Sequence, residues 1–266
     1  MLKPRIIPCL LIHKGGLVKT RQFKDPKYLG DPINAVRIFN EKESDELMVF
    51  DIDAAVHKVE PNYALIAKLA AECRMPLCYG GGVTKVDQST RIIDLGVEKV
   101  AVSSTAVVEP SLITRMAEAI GSQSVVAVLD VRQKVGLFSK SYEILTHNAR
   151  IVHKLNPIKL ACQMQEAGAG EIVVNSINRD GEMMGYDIEL ASRMSAELNI
   201  PLTMLGGAGS LDHFVELLSA CGLIGCAAGS LFVFKGKYRA VLINYPSALQ
   251  KDELCRAGIF THQTIL

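Results

Sequence analysis

The most constraining feature of this chain is that it repeats itself. Residues 46–52 align with 171–177 at an offset of 125. At the same offset, Pro76-Leu77-Cys78-Tyr79-Gly80-Gly81-Gly82 resembles Pro201-Leu202-Thr203-Met204-Leu205-Gly206-Gly207. Residues 6–12 align with 125–131 at an offset of 119. Several segments in register point to a duplicated unit, and the second copy is longer, its extra residues following the fifth apolar run. Each copy alternates short β-rich runs with longer amphipathic ones. Strands are expected at 6–11, 46–52, 77–79, 99–102, 125–130, 171–175, 202–205 and 224–227. Helices are expected from Pro32, capped by Asp31, and over 62–73, 85–95, 110–120, 157–167, 188–198 and 211–220. The strands are almost purely apolar, as when both faces of a parallel sheet are buried. No linker divides the chain, so eight strand–helix units predict one α/β domain, a single (β/α)8 TIM barrel built from two half-barrel repeats over 1–246. Residues 247–266 are left over as a C-terminal tail, either a partner-docking segment or disordered.

Composition narrows the function. Lys plus Arg total 29 against 28 for Asp plus Glu, a net charge of +1, which excludes a surface basic throughout for nucleic acid. No apolar run approaches the roughly 18 residues of a membrane span, and the N-terminus lacks a signal-peptide hydrophobic region, so a cytoplasmic protein is expected. Seven scattered cysteines do not read as a disulfide framework. No histidine lies close enough to Cys73 and Cys78, or to Cys221 and Cys226, to complete a zinc set, so no metal or cofactor is expected.

In a barrel, chemistry sits where strands end, at the C-terminal face. Gly81 and Gly82 follow strand three there, and Ser104 and Thr105 follow strand four. The repeat places Gly206 and Gly207 after strand seven, and Gly229 and Ser230 after strand eight. Glycines let backbone N–H groups approach a phosphate, and hydroxyls and helix N-termini complete the cradle. Two symmetric cradles therefore predict a phosphorylated small-molecule ligand. The segment from His13 to Lys27 carries Lys14, Lys19, Arg21, Lys24 and Lys27 against Asp25 alone, and reads as a basic, mobile lid over that face. Asp51 and Asp130 end apolar strands two and five, where burial would raise a carboxylate's pKa and suit it to proton transfer. Asp130 is the catalytic candidate. Asp180, beside Gly181, could bind ligand or orient a loop. The repeat partner of Asp130 is Leu11, which cannot transfer protons. His13 is given a loop role.

The runs Arg5-Ile6-Ile7-Pro8-Cys9-Leu10, Gly80-Gly81-Gly82, Gly121-Ser122-Gln123, Asn178-Arg179-Asp180-Gly181, Gly185-Tyr186-Asp187 and Gly206-Gly207-Ala208-Gly209 resemble the HisF family, the cyclase subunit of imidazole glycerol phosphate synthase, over about residues 3–240. The resemblance implies an enzyme of the lyase and glutamine-amidotransferase type. Its ammonia would come from a HisH-like glutaminase and enter through a ring of four charges, matched here by Arg5, Glu46, Lys99 and Glu171. It implies ligand-binding roles for Lys19, Asp51, Gly81, Gly82, Ser104, Thr105, Asp180, Gly181, Gly206, Gly207, Gly229 and Ser230. Family members use two aspartates; the second matches Asp130 and the first falls on Leu11. Pro8-Cys9-Leu10-Leu11 and Gly15-Gly16-Leu17-Val18-Lys19-Thr20 are similar to an amidation-associated HisF-like branch of surface-polysaccharide gene sets. There the expected role is supplying ammonia, alongside an ATP-using sugar amidotransferase, to form an acetamidino sugar. The alternatives are the cyclase reaction of histidine biosynthesis and a non-catalytic channel that activates the glutaminase.

Overall fold

The computed structural model describes residues 4–136 and 140–265, with side chains through residue 259. Eight parallel strands form the barrel: β1 (Arg5–His13), β2 (Leu47–Asp51), β3 (Leu77–Gly80), β4 (Lys99–Val102), β5 (Val125–Val135), β6 (Glu171–Ser176), β7 (Leu202–Leu205) and β8 (Gly225–Ala228). Each pairs with the next in chain order, and β8 closes the circle on β1 through Arg5↔Gly225 to Pro8↔Ala228. The barrel is thus closed and has no edge among these strands.

Helices follow the strands on the outside: α1 (Pro32–Glu41), α2 (Tyr63–Glu72), α3 (Val86–Asp94), α4 (Ser111–Ile120), α5 (Pro157–Glu166), α6 (Ile188–Glu197) and α7 (Asp212–Cys221). Their starts are written locally. Asp31, Asn62, Asn156 and Asp187 each accept a backbone N–H of the first turn, and Pro32 and Pro157 open their helices. Strand side chains alternate. Those pointing out, such as Ile6, Val49, Val100 and Ile172, pack under the helices; Ile7, Met48, Cys78, Val126, Val173 and Ala227 fill the barrel. No disulfide joins any of the seven cysteines.

Two features depart from the reading of the sequence. The stretch expected to be a mobile lid is a β-ribbon. After β1, a two-residue turn at Lys14-Gly15 leads into Gly16–Arg21, and a second at Gln22-Phe23 leads into Lys24–Gly30. Both residues of each turn have positive φ, the conformation whose twist matches antiparallel strands. In the second half, β5 likewise runs past residue 130 and pairs antiparallel with Lys140–Thr146, which pairs with Ile151–His153. The first strand of each half therefore continues into a ribbon over the same face, and the ribbons carry much of the length difference between copies. The second departure concerns the tail. Residues 248–265 form a helix, α8 (Ala248–Ile265), that packs on α7, with Leu254 buried and Gly258 against Leu218. Tyr245, ahead of it, donates to the Ile6 carbonyl at 2.7 Å and packs edge-on against Phe39 and at a tilt against Phe232. Leu266, the last residue of the expected tail, lies outside the described residues.

No helix among the described residues is long and apolar enough to cross a membrane.

Candidate active site

The strands end around a pocket of about 610 Å³ at the C-terminal face. Its lining includes Lys19, Asp51, Gly81, Gly82, Ser104, Thr105, Asp130 and Asp180, all read from the sequence as ligand-facing, together with Leu11. Gly181, Gly206, Gly207, Gly229 and Ser230 lie outside that lining. The two cradles are therefore unequal, although the sequence repeat makes them equivalent.

Asp130 sits opposite Asn175 in the β5–β6 register. Its carboxylate accepts from Asn175 Nδ2 at 3.1 Å and Ser103 Oγ at 3.4 Å. Burial outweighs these two bonds and pushes its pKa up to about 7, with the Asp180 charge adding to the rise. A carboxyl poised there can both take and return a proton at neutral pH. Leu11, 9% exposed, presents a methyl surface to the same pocket. Asp51 is also raised by burial, but its Oδ1 accepts the N–H groups of Asp53 and Ala54 at 2.9 and 3.2 Å, which fixes the turn after β2.

Asp180 turns out to be an anchor. Its Oδ2 accepts Thr20 Oγ1 at 2.6 Å and the Phe23 N–H at 3.1 Å, and its carbonyl accepts the Gln22 N–H at 2.9 Å. Arg21 adds an ion pair to Glu182 at 2.7 Å. These contacts hold the Gln22-Phe23 turn, which lacks the Asn-Gly sequence such turns favour. They also deliver Lys19, 6% exposed, to the pocket. Its ammonium has no hydrogen-bond or ion-pair partner among the described residues, and it lies against Gly229, where any Cβ would collide with it. A nearly buried, unpaired cation at the pocket edge calls for an anion.

The glycines divide by cause. Gly81 (φ +133°) and Gly82 (φ +74°) approach the Asp51 and Val59 carbonyls so closely that a Cβ would clash. Gly206 and Gly207 also have positive φ, and a Cβ on Gly207 would run into the Gly185 carbonyl, because the Gly185 N–H bonds to the Gly207 carbonyl at 2.8 Å. Packing of the 181–187 loop thus explains Gly207 without a ligand. Ser230 is different: its hydroxyl is buried without a hydrogen-bond partner among the described residues, at the start of the short helix Ser230–Val233.

The sequence reading missed Asn175, Lys58, Lys85, His147 and Asn148, all on the pocket lining, which also includes Ser103 beside the expected Ser104-Thr105 cradle. His147, Asn148 and Ala149 come from the turn in the β5 ribbon, three consecutive residues with φ of 54°, 54° and 61°. Left-handed backbone costs roughly 1–2 kcal/mol per ordinary residue, so the turn must be held. The His147 N–H donates to Ser104 Oγ at 3.2 Å, and Asn148 Nδ2 reaches across to the Ile52 carbonyl at 2.6 Å. Thr146-His147-Asn148-Ala149-Arg150, a polar run inside the long connection expected after strand five, was the only local hint. His13 continues β1, and its Nδ1 lies 2.7 Å from Asp53 Oδ1.

At the opposite face the four predicted charges form a closed ring. Arg5 bonds to Glu46 at 2.5 Å and to Glu171 at 2.7 Å; Lys99 bonds to Glu46 and Glu171 at 2.8 Å each. Thr203 Oγ1 also donates to Glu171 at 2.6 Å. Burial opposes every charge here. The hydrogen bonds and charges of the ring overcome it, holding Arg5 and Lys99 above their ordinary values and Glu171 below its own.

Among the described residues no cluster of three or more His, Cys, Asp or Glu is placed for a metal ion.

Comparison with known proteins fits this geometry. The family described as "Histidine biosynthesis protein" matches residues 5–239. The chain belongs to the HisF family. It is 54% identical to a Leptospira borgpetersenii protein provisionally named imidazole glycerol phosphate synthase subunit HisF, over 96% of this chain and 99% of that one. It is 52% identical to a Vibrio vulnificus protein provisionally named subunit hisF3, over 95% and 96% of the two chains. Chlorobium limicola imidazole glycerol phosphate synthase subunit HisF is 36% identical over 88% of this chain and 92% of its own. Within this barrel the repeat sets Leu11 opposite Asp130.

Proposed function

We propose that this chain is a HisF-type synthase subunit that uses ammonia, on a product other than imidazole glycerol phosphate. A HisH-like glutaminase docks at the N-terminal face, over the ring of Arg5, Glu46, Lys99 and Glu171. The ring spans the barrel mouth, so passage of ammonia requires at least one ion pair to part. Above it the interior is apolar, from Ile7, Met48 and Val173 upward, which admits neutral ammonia and disfavours ions. At the far face Lys19, the Gly81-Gly82 and Ser104-Thr105 cradle, and Ser230 with Gly229 receive a phosphorylated ligand, and Asp130 exchanges protons with it. The destination of the ammonia is an acetamidino group on a surface-polysaccharide sugar, formed with an ATP-using sugar amidotransferase.

The observation that carries this reading is Leu11. It occupies the pocket position related by the repeat to Asp130, and removing one of two acid–base groups costs about 10²–10⁴ in rate. Relatives of this chain at 48% and 52% identity are numbered hisF2 and hisF3, names that fit additional copies beside a histidine-pathway subunit.

Two assays test the proposal. Adding the chain to its glutaminase should raise glutamine hydrolysis; no stimulation in any ligand state would sink it. Ammonia-dependent turnover of the ribulosyl aminoimidazole substrate should be absent or very slow, and rapid product formation would return the chain to histidine biosynthesis. Glutaminase stimulation that persists in Asp130→Asn while amidinated sugar disappears would exclude a channel without chemistry of its own.

A further inference from the structure

The β5 ribbon carries chemistry that the reading above does not use. His147 lines the pocket, and its Nδ1 lies 3.1 Å from Thr146 Oγ1. The same hydroxyl lies 2.9 Å from Nε2 of His153, itself half-buried at the end of the exposed outer strand of the ribbon. Thr146 is fully buried, so its hydroxyl meets these two rings and no water. Among the described residues nothing bonds to His147 Nε2 or His153 Nδ1.

We propose that His147, Thr146 and His153 form a proton conduit joining the pocket to solvent, with His147 Nε2 as its inner end. A hydroxyl has one proton: it can donate to one ring only and must accept from the other. Two arrangements result. In the first, His147 carries its proton on Nδ1, Thr146 donates to His153, and His147 Nε2 presents a lone pair to the pocket. When Nε2 takes a proton from a bound group, the Nδ1 proton passes to Thr146 Oγ1. The threonine's own proton passes to His153 Nε2, and His153 releases its Nδ1 proton to solvent. His147 then holds a proton on Nε2, ready to return it as the chain reverses. The conduit rests on the reading of this pocket as the reaction site. It would give that site a second proton-exchanging group where Leu11 offers none.

The turn that presents His147 is held from both sides, by Ser104 and by the Ile52 carbonyl, so the ring is placed rather than free. The charged groups that share its pocket are Asp51, Lys58, Glu60 and Lys85 from the segments at and after β2 and β3, and Lys19, Asp130 and Asp180 from the remaining walls. Arg150 follows the turn and is exposed.

The test is a pH titration of the histidine ring ¹⁵N and ¹³C resonances in the full chain, which needs no substrate. In the wild type the two rings should titrate as a coupled pair, each sensing the other's protonation by about tenfold in affinity. His153→Gln should shift the His147 midpoint by that factor. Thr146→Val should leave two independent single-step curves, and Thr146→Ser, which keeps the hydroxyl, should restore the coupling. A single-step His147 titration with the same midpoint in all four proteins would overturn the conduit. Because the readout is ligand-free, the conduit can fail while the synthase reading stands, and the reverse.

Discussion

Asp130→Asn gives the sharpest prediction, because a carboxyl whose pKa is raised by burial must destabilise the fold when charged. The substitution is nearly isosteric: the amide keeps an acceptor for Asn175 Nδ2 and offers a donor to Ser103 Oγ, the two groups now bonded to the carboxylate. The pKa moves from the ordinary 3.8 to about 7. The sign follows. Below the unfolded-state value, near 4, both forms are neutral and the carboxyl costs nothing. As pH rises from about 4 to 7 the unfolded chain ionises first, and wild-type stability falls; above 7 the cost is constant. Three pH units correspond to roughly 4 kcal/mol, and the partial exposure of Asp130 to the pocket lowers this to about 2–4 kcal/mol. For a chain of this size that is about 4–12 °C in Tm. Scanning calorimetry should therefore find Asp130→Asn equal to wild type near pH 4 and more stable by that margin at pH 8, while ammonia-dependent product formation falls by about 10²–10⁴. A Tm gap independent of pH, or a variant less stable than wild type at pH 8, would refute the assignment of Asp130 as a buried, raised carboxyl.

Glu171→Gln should cost about 3 kcal/mol, since it leaves Arg5 and Lys99 sharing Glu46 alone; combining it with Arg5→Met should recover part of the loss in a double-mutant cycle. Because the Glu171 pKa is depressed, that contribution is present above the ordinary carboxylate range and disappears as pH falls through the folded value, so the Tm gap between Glu171→Gln and wild type should close under acid. Gly207→Ala should destabilise by about 3 kcal/mol or more, from positive φ together with the clash on the Gly185 carbonyl, and urea unfolding measures it. Leu11→Asp restores a second carboxylate to the pocket and should raise turnover of the ribulosyl aminoimidazole substrate with ammonia; unchanged turnover would mean that more than this one group separates the chain from the cyclase reaction.

Much of the site was legible because it follows from barrel topology. Once eight strands are counted, Asp51, Asp130, Gly81 and Ser104 must fall at strand ends on one face, and Arg5, Glu46, Lys99 and Glu171 at strand starts on the other. The ribbons were not legible. Gln22-Phe23 has no turn signature of its own, and its positive-φ backbone is held by Asp180, more than 150 residues away. Of the two roles open to Asp180 in the sequence, the loop-orienting one has its contacts in the fold, and the stretch expected to be a mobile lid is an ordered ribbon. The pocket position of His147 was hidden for the same reason: three left-handed residues in a row are held in part by Ser104 and the Ile52 carbonyl across the pocket.

The sequence by itself determined the number and order of the barrel strands, the duplication, the helix starts at Asp31, Asn62, Asn156 and Asp187, and the pairing of Leu11 with Asp130 across the repeat. These depend on period, local capping and side-chain identity, which act over a few residues. Only the tertiary structure decided which equivalent positions of the two halves do equivalent work. The cradle near Gly81 opens on the pocket, whereas Gly207 is used to seat a neighbouring loop. Only the closed barrel brings Arg5, Glu46, Lys99 and Glu171 within ion-pair distance and lets their charges outweigh burial. Charge pairing, desolvation and backbone strain are set by neighbours in space, and for Arg5, the Gln22-Phe23 turn and the His147 turn some of those neighbours come from the opposite half of the barrel.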